Sequence, residues 1–412
     1  MKRAALFWLV LILIFGSWGC KRDLIQDNQD RIVYKKPVWE AALIENEDFD
    51  SWGYILSNCV YDGVAFVSKI DKDAKNVLAA IDIETGQLLW EWRDMLKESD
   101  KIYFNDFFAN ESVFLLPYGP RKYYIDIQSG ATIAKQNSDY SFGFEFPVSE
   151  TNAYMIGNLI SDNTRFQYKI YKHDPLTQTT ERIEIPEIYN RSNDSIDVGV
   201  GDAEYFQRNG KEYLVLHMMT KNNENAFQPY LGLYDLGGDS LIYLGYPINS
   251  SGGGRATSEG FRVLGNKIYT ISFRDAVCFD LWTGEELWRK KFETTFAFGE
   301  FEVADGVMIC HGEDQRLYGL DAEDGRLIWT QEGSGISSSL RDRVLNGVAY
   351  IAGGNSDRIH AIDIQSGKEL WLLEPGRYER NSENLSDLYV DHDLERVIFF
   401  VGDHVYCVEA ER

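Results

Sequence analysis

The chain has 412 residues, 14% of them aromatic, with 35 Gly against nine Pro and a formal net charge of −24. That length permits two or three ordinary domains or one large repeat architecture, and the composition favours many short strands joined by tight turns over disorder or long helices. The charge excludes a nucleic-acid-binding surface, which needs clustered Lys and Arg to displace counterions from phosphates; solubility of an exported protein is its plain reading, and an acidic face for a basic partner the alternative.

The first twenty residues differ in kind from the rest. Lys2 and Arg3 precede an apolar run from Ala4 to Phe15, then Gly16, Ser17, Gly19 and Cys20. A basic start, a short hydrophobic core and a small-residue processing site are the layout of a secretory signal, and the run is shorter than the roughly 20 residues a membrane helix needs. Ser17-Trp18-Gly19-Cys20 resembles a bacterial lipoprotein signal. That resemblance implies a signal over residues 1–20 with lipid on Cys20; an uncleaved anchor and plain secretion are the alternatives. Residues 21–36 are polar and charged and read as a tether, leaving 37–412 as one fold. Cys59, Cys278, Cys310 and Cys407 are widely spaced within apolar, strand-like segments and read as buried thiols, although an even count leaves disulfides open.

From residue 82 onward one layout recurs: a strand ending in Asp, a turn with Gly four residues on, and a returning strand with Trp four further. Asp82, Gly86 and Trp90 carry it, as do Asp280, Gly284 and Trp288; Asp321, Gly325 and Trp329; and Asp363, Gly367 and Trp371. Asp126 and Gly130 keep the turn with Ala134 at the Trp position. Two copies are degenerate, Asp174 with Gln178 and Arg182, and Asp235 with Asp239 and Tyr243. The Asp side chain can accept hydrogen bonds from turn amides, and Gly supplies the positive φ that reverses the chain without a Cβ clash. A flat Trp ring can cover the seam between adjacent sheets while its N–H finds a polar partner.

The Asp positions step by 44, 48, 61, 45, 41 and 42 residues, the length of a four-stranded propeller blade. Val405-Tyr-Cys-Val408 repeats the strand before the turn, and Glu409 stands at the next Asp position, 46 residues after Asp363. That last repeat lacks an outer strand, and the segment around Trp39 contains the missing Trp. The expected fold is all-β: an eight-bladed β-propeller of four-stranded antiparallel blades, closed by pairing of N- and C-terminal strands, which removes a sheet edge. Unclosed hairpins or two smaller β domains are the alternative.

The run YGLDAEDGRLIW from Tyr318 to Trp329, with HAIDIQSGKELW and AAIDIETGQLLW, resembles the pyrroloquinoline-quinone-like repeat. Within that superfamily the length, lipid signal and closure look more like the BamB type of outer-membrane assembly lipoprotein than the quinoprotein dehydrogenases. The resemblance implies a non-catalytic scaffold without a cofactor, lipid-anchored at the outer membrane and facing the periplasm or cell surface. Its implied partners are envelope proteins, among them barrel-assembly components. An exported carbohydrate- or small-ligand-binding propeller and a quinone-dependent dehydrogenase are the other readings. No set of calcium carboxylates is evident, since the repeat Asp residues already have turn roles. Asp71-Lys-Asp73-Ala-Lys75-Asn76 departs from a calcium loop, with Lys75 at a ligand position and Asn76 in place of Gly. The six His residues show no metal spacing. Where symmetry is lost, the long 61-residue step holds Lys221-Asn-Asn-Glu-Asn-Ala-Phe227. Phe227, Gln228 and Tyr230 are expected to present a loop to a partner, with a tolerated insertion as the alternative.

Overall fold

In the computed structural model the described residues are 36–45, 58–95, 102, 108–118, 121–137, 140–147, 153–159, 169–183, 188–189, 195–196, 198–221, 227–247, 261–272, 274–296, 301–332, 343–352, 359–373, 385–401 and 404–410. The signal, Cys20 and nearly all of the tether lie outside them. Among the described residues there is no helix; there are eight four-stranded antiparallel sheets and one two-stranded sheet. Sheets 1 to 7 are each formed by consecutive strands within residues 58–92, 108–137, 140–183, 198–247, 262–291, 301–332 and 344–373. Sheet 8 joins Leu385–Asp391, Arg396–Val401 and His404–Glu409 to a strand from the other end of the sequence, Trp39–Ala42. The register of that pairing sets Trp39 opposite Cys407 and Ala42 opposite His404.

The two inner-layer strands of a sheet are covered on both faces, so they are continuous apolar runs rather than alternating ones. Val307–His311 in sheet 6 is buried at all five positions, and Asn76–Asp82 in sheet 1 at its five central ones. Successive sheets share cores. Phe66 and Leu78 of sheet 1 meet Phe114 and Tyr123 of sheet 2, and Val215 and Leu231 of sheet 4 meet Ile268 and Val277 of sheet 5. Val307 and Ile309 of sheet 6 meet Ala349 and Ile351 of sheet 7. Sheet 8 in turn meets sheet 1, through Ile398, Val405 and Cys407 against Ala65 and Val67.

At the turns, each conserved-layout Asp holds its own reversal. Asp82 Oδ1 accepts from the Thr85 amide (2.7 Å) and hydroxyl (2.5 Å); Asp126 accepts likewise from Ser129, Asp280 from Thr283 and Asp363 from Ser366. The Gly amide then donates to the Asp carbonyl at 2.8–2.9 Å in all five Gly turns, with φ between +67° and +72°.

The ring of one sheet lies on the turn glycine of the next. The indole N–H of Trp39 donates to Ile83 O (2.6 Å), Trp90 to Ile127 O (2.9 Å), Trp288 to Ala322 O (3.2 Å) and Trp329 to Ile364 O (2.9 Å). In every case the acceptor is the residue after the next repeat's Asp. A Cβ built on Gly86, Gly130 or Gly325 would stand 2.5–2.6 Å from the ring above it, and one on Gly367 closer still to Trp329. Tyr243, read from the sequence as a degenerate position, does the same work. Its hydroxyl donates to Leu281 O at 2.9 Å, and its ring is 2.5 Å from where a Cβ on Gly284 would be. Positive φ alone does not demand Gly, since Gln178 (φ +59°) and Asp239 (φ +47°) adopt it at the equivalent positions. These are the two turns that face Ala134 and Arg182 instead of a ring.

Two glycine substitutions separate the effects. Gly265 has φ +60° and nothing within 4 Å of a new Cβ, whereas Gly325 has φ +72° beneath Trp288. Gly265→Ala should cost about 1–2 kcal/mol, the left-handed backbone penalty, and Gly325→Ala a further ~1–3 kcal/mol for displacing the ring. Urea midpoints at constant m-value measure both; equal losses would show that the ring yields freely.

Candidate interaction surface

Among the described residues, the repeat carboxylates that a catalytic or metal site could recruit are committed to their turns. Each repeat Asp is held by turn donors, and hydrogen bonds from Ser129 hold the Asp126 carboxyl below the usual carboxylate range. Asp71 is buried. It accepts from the amides of Asp73 and Lys75, both at 2.9 Å, and is paired with Arg93, which also binds Glu91 at 2.5 Å. Burial works to raise the Asp71 pKa, but the amide and guanidinium donors together bring it below its ordinary value. The segment Asp71–Asn76 is thus a hairpin turn closed by an ion-pair network that continues through Glu91 to Lys69 and Glu45. Among the described residues no three His, Cys, Asp or Glu side chains gather as a metal site. Cys59, Cys278, Cys310 and Cys407 are joined by no disulfide and are buried in four different sheets. Burial pushes Cys278 and Cys407 up to about 12, which leaves them protonated and unreactive at neutral pH.

The histidines are structural. His360 bonds Glu369 at 2.6 Å within sheet 7. His173 bridges the seam between sheets 2 and 3, with Nε2 3.0 Å from the Tyr124 hydroxyl and Nδ1 3.0 Å from Thr180 Oγ1. Tyr124 also donates to Gln136 (2.9 Å), whose amide donates to Gln178 (3.0 Å). A polar network therefore occupies the seam where Ala134 replaces the ring. His217 lies against Phe261, edge to face, with its Nε2 buried and unpartnered.

The candidate partner surface is sheet 4. Its first two strands, Val198–Arg208 and Lys211–Lys221, have eleven residues each, against two to eight in the other sheets' corresponding strands. The expected loop is not where Phe227 and Gln228 lie. They belong to the strand Phe227–Asp235, opposite Lys221 and Thr220, so much of the long step lengthens a hairpin. Tyr230 pairs with Met218 and is half-buried against the core shared by sheets 3 and 4. Only residues 222–226 of the insertion fall outside the described residues. No sequence signal separated a longer strand from a longer loop, because the step length alone is the same for both.

The family model described as outer membrane protein assembly factor BamB matches residues 244–412, which include sheets 5 to 7 and the three C-terminal strands of sheet 8. The BamB of Yersinia pestis is 28% identical over 122 residues, 28% of this chain and 30% of that protein. The match thus spans under a third of that relative's length. Among solved structures, BamB from Moraxella catarrhalis is 11% identical with a TM-score of 0.57, covering 91% of this chain and 99% of that one. Quinohemoprotein alcohol dehydrogenase from Comamonas testosteroni is also 11% identical with a TM-score of 0.57, covering 92% of this chain and 77% of that one. Sqt1 of Saccharomyces cerevisiae is 8% identical with a TM-score of 0.59, covering 93% and 99%.

Burial by itself pushes the His217 pKa down to about 4, and burial, then the charge of Lys122, brings His173 to about 3, both from an ordinary 6.5. Folded-state values below the unfolded one mean that the unfolded chain takes up protons first. This stability is complete above pH 6.5 and falls as pH drops toward 4 and 3. Replacing His217 by Leu removes its share. Between pH 7.5 and 5 the parent should lose about 2 kcal/mol more than His217→Leu, read from urea midpoints; parallel pH profiles would show that His217 is not held neutral by burial. The chain has the fold of a β-propeller, and its residues 244–412 resemble the pyrroloquinoline-quinone-like repeats of the BamB family model.

Proposed function

We propose that the chain is a non-catalytic scaffold, anchored at the outer membrane by a lipid on Cys20 and facing the periplasm, that holds partner proteins during assembly of β-barrel proteins. The match of residues 244–412 to the BamB family model carries this reading. The commitment of the repeat carboxylates to turns supports the absence of catalysis and of a cofactor. The dehydrogenase likeness, at 11% identity, speaks for architecture alone. In the same reading the eight four-stranded sheets are blades of one ring, closed where Trp39–Ala42 pairs with His404–Glu409. Trp39 supports the closure twice, as a strand residue of sheet 8 and as the ring over Gly86 of sheet 1.

The partner-facing arc in this proposal is the extended hairpin of sheet 4, with Phe227, Gln228 and Tyr230. Crosslinking of the native chain in its own envelope, followed by mass spectrometry, should recover barrel-assembly proteins. Replacing residues 221–228 by a short Gly-Ser turn should reduce that recovery while folding is retained. Recovery of glycan-uptake proteins instead would favour ligand capture, and unchanged recovery with the shortened hairpin would remove the arc from the interface. Cys20→Ser should move the chain from the membrane to the soluble fraction. Deleting residues 37–43 should lower the thermal midpoint by exposing the edge of His404–Glu409; an unaltered midpoint would argue against closure.

A further inference from the structure

Ring and glycine vary together within this one sequence. Five seams have a ring over a glycine: Trp39 on Gly86, Trp90 on Gly130, Tyr243 on Gly284, Trp288 on Gly325 and Trp329 on Gly367. Trp371 is buried against sheet 8. At the two remaining seams both partners have changed, Ala134 facing Gln178 and Arg182 facing Asp239. A third position follows suit. The residue directly across the strand pair from each ring is small where it is a Trp: Ala80 opposite Trp90, Cys278 opposite Trp288, Gly319 opposite Trp329 and Ala361 opposite Trp371. Opposite Ala134 stands Tyr124, and opposite Arg182 stands Tyr171.

Both altered seams border the same sheet. Sheet 3, within residues 140–183, meets sheet 2 through Gln136 and Gln178 and sheet 4 through Ile170 against Ala203 and Leu216, with Arg182 and Asp239 at the ring and glycine positions of that second seam. On the first side the ring's apolar cover gives way to the hydrogen bonds of Tyr124, His173, Gln136 and Gln178. A neutral hydrogen bond contributes little net, because water competes for the same groups once the seam parts. A buried Trp contributes several times that through apolar burial. An incoming aromatic from a partner cannot substitute for the lost ring, since the side chain of Gln178 starts in the space that the ring fills elsewhere.

We propose that sheet 3 is the unit of local opening in this protein, seated between its neighbours without a ring on either seam and released from them before any other sheet. The proposal takes the closed ring as its frame. A partner that grips sheets 2 to 4 together would suppress the opening by mass action, so the mobility of sheet 3 and occupancy of the sheet 4 surface are linked.

Hydrogen exchange of the full chain, followed by mass spectrometry, tests this. Peptides from 140–147, 153–159 and 169–183 should exchange at least about tenfold faster than the central strands of sheets 5, 6 and 7. Transplanting the ring seam with Tyr124→Ala, Ala134→Trp and Gln178→Gly together should slow exchange in sheet 3. If that variant does not fold, the converse serves: Trp288→Ala with Trp329→Ala strips both seams of sheet 6, whose exchange should rise to the level of sheet 3. Protection of sheet 3 equal to that of sheets 5 to 7 overturns the proposal, as does an unchanged sheet 6 in the stripped variant. Fastest exchange at Trp39–Ala42 and His404–Glu409 would instead mean that the ring parts at its closure, overturning the closed-ring reading and the assignment of sheet 3 with it.

Discussion

An aromatic ring fills the volume that a Cβ would take on the turn glycine of the neighbouring sheet. That exclusion organises the molecule. Each of the five ringed seams is fixed by a planar contact that leaves no room for a side chain beneath it and by one N–H or O–H donated to a backbone carbonyl, so sliding one sheet past the next would break both together. The same geometry appears at Trp39, remote in sequence from the rest of its sheet, which shows that the contact depends on position in the architecture and not on chain continuity. Sheet 8 could receive its outer strand from the N-terminal segment because that segment brings its own ring.

The parts legible in the sequence are those encoded locally and repeated. Asp with Thr or Ser three residues later is a turn that closes on itself, so Asp82, Asp126, Asp280 and Asp363 announce their hairpins without any tertiary information. Gly at the fourth step and Trp at the eighth are visible as a pattern, and the terminal half-repeats as its interrupted ends. What the pattern hides is the reason for the glycine. Turn chemistry alone attributes it to positive φ, yet Gln178 and Asp239 show that φ is tolerated with a side chain, and only the neighbouring sheet reveals the ring overhead. Tyr243 was opaque for a related reason: a phenol reaches the same carbonyl with its hydroxyl that an indole reaches with its N–H, an equivalence of geometry and not of residue type. The small residues opposite each Trp need the strand register before they mean anything, and the lengthened hairpin of sheet 4 needs the pairing of Lys221 with Phe227.

The surface that bears function was less legible because the residue types that signal chemistry are the ones this architecture uses for itself. Carboxylates cap turns, histidines fill seams, and thiols lie inside strands. His173 illustrates the point: kept neutral between Tyr124 and Thr180, it serves the seam as a two-sided polar spacer and has no free nitrogen to offer a ligand. In the proposed scaffold, partner recognition rests on shape and on departures from the repeat, which periodic reasoning locates only as places where the pattern fails. The family likeness over residues 244–412 falls on the most regular sheets, so it speaks for the scaffold more directly than for the arc where regularity is lost.

Ring and glycine constrain each other unequally at a seam. A side chain at the turn position must displace the ring that covers it, because the Cβ would lie about 2.5 Å from the indole carbons. Loss of the ring, by contrast, leaves an uncovered glycine and a void that Tyr124 or a polar network can fill. Two seams changing in the same direction, on both sides of one sheet and beside the one hairpin that has grown, place the departures from symmetry in a single contiguous arc. At the seam between sheets 2 and 3 the indole clamp of the repeat is replaced by the hydrogen bonds of Tyr124, His173, Gln136 and Gln178, which water can replace when a seam parts.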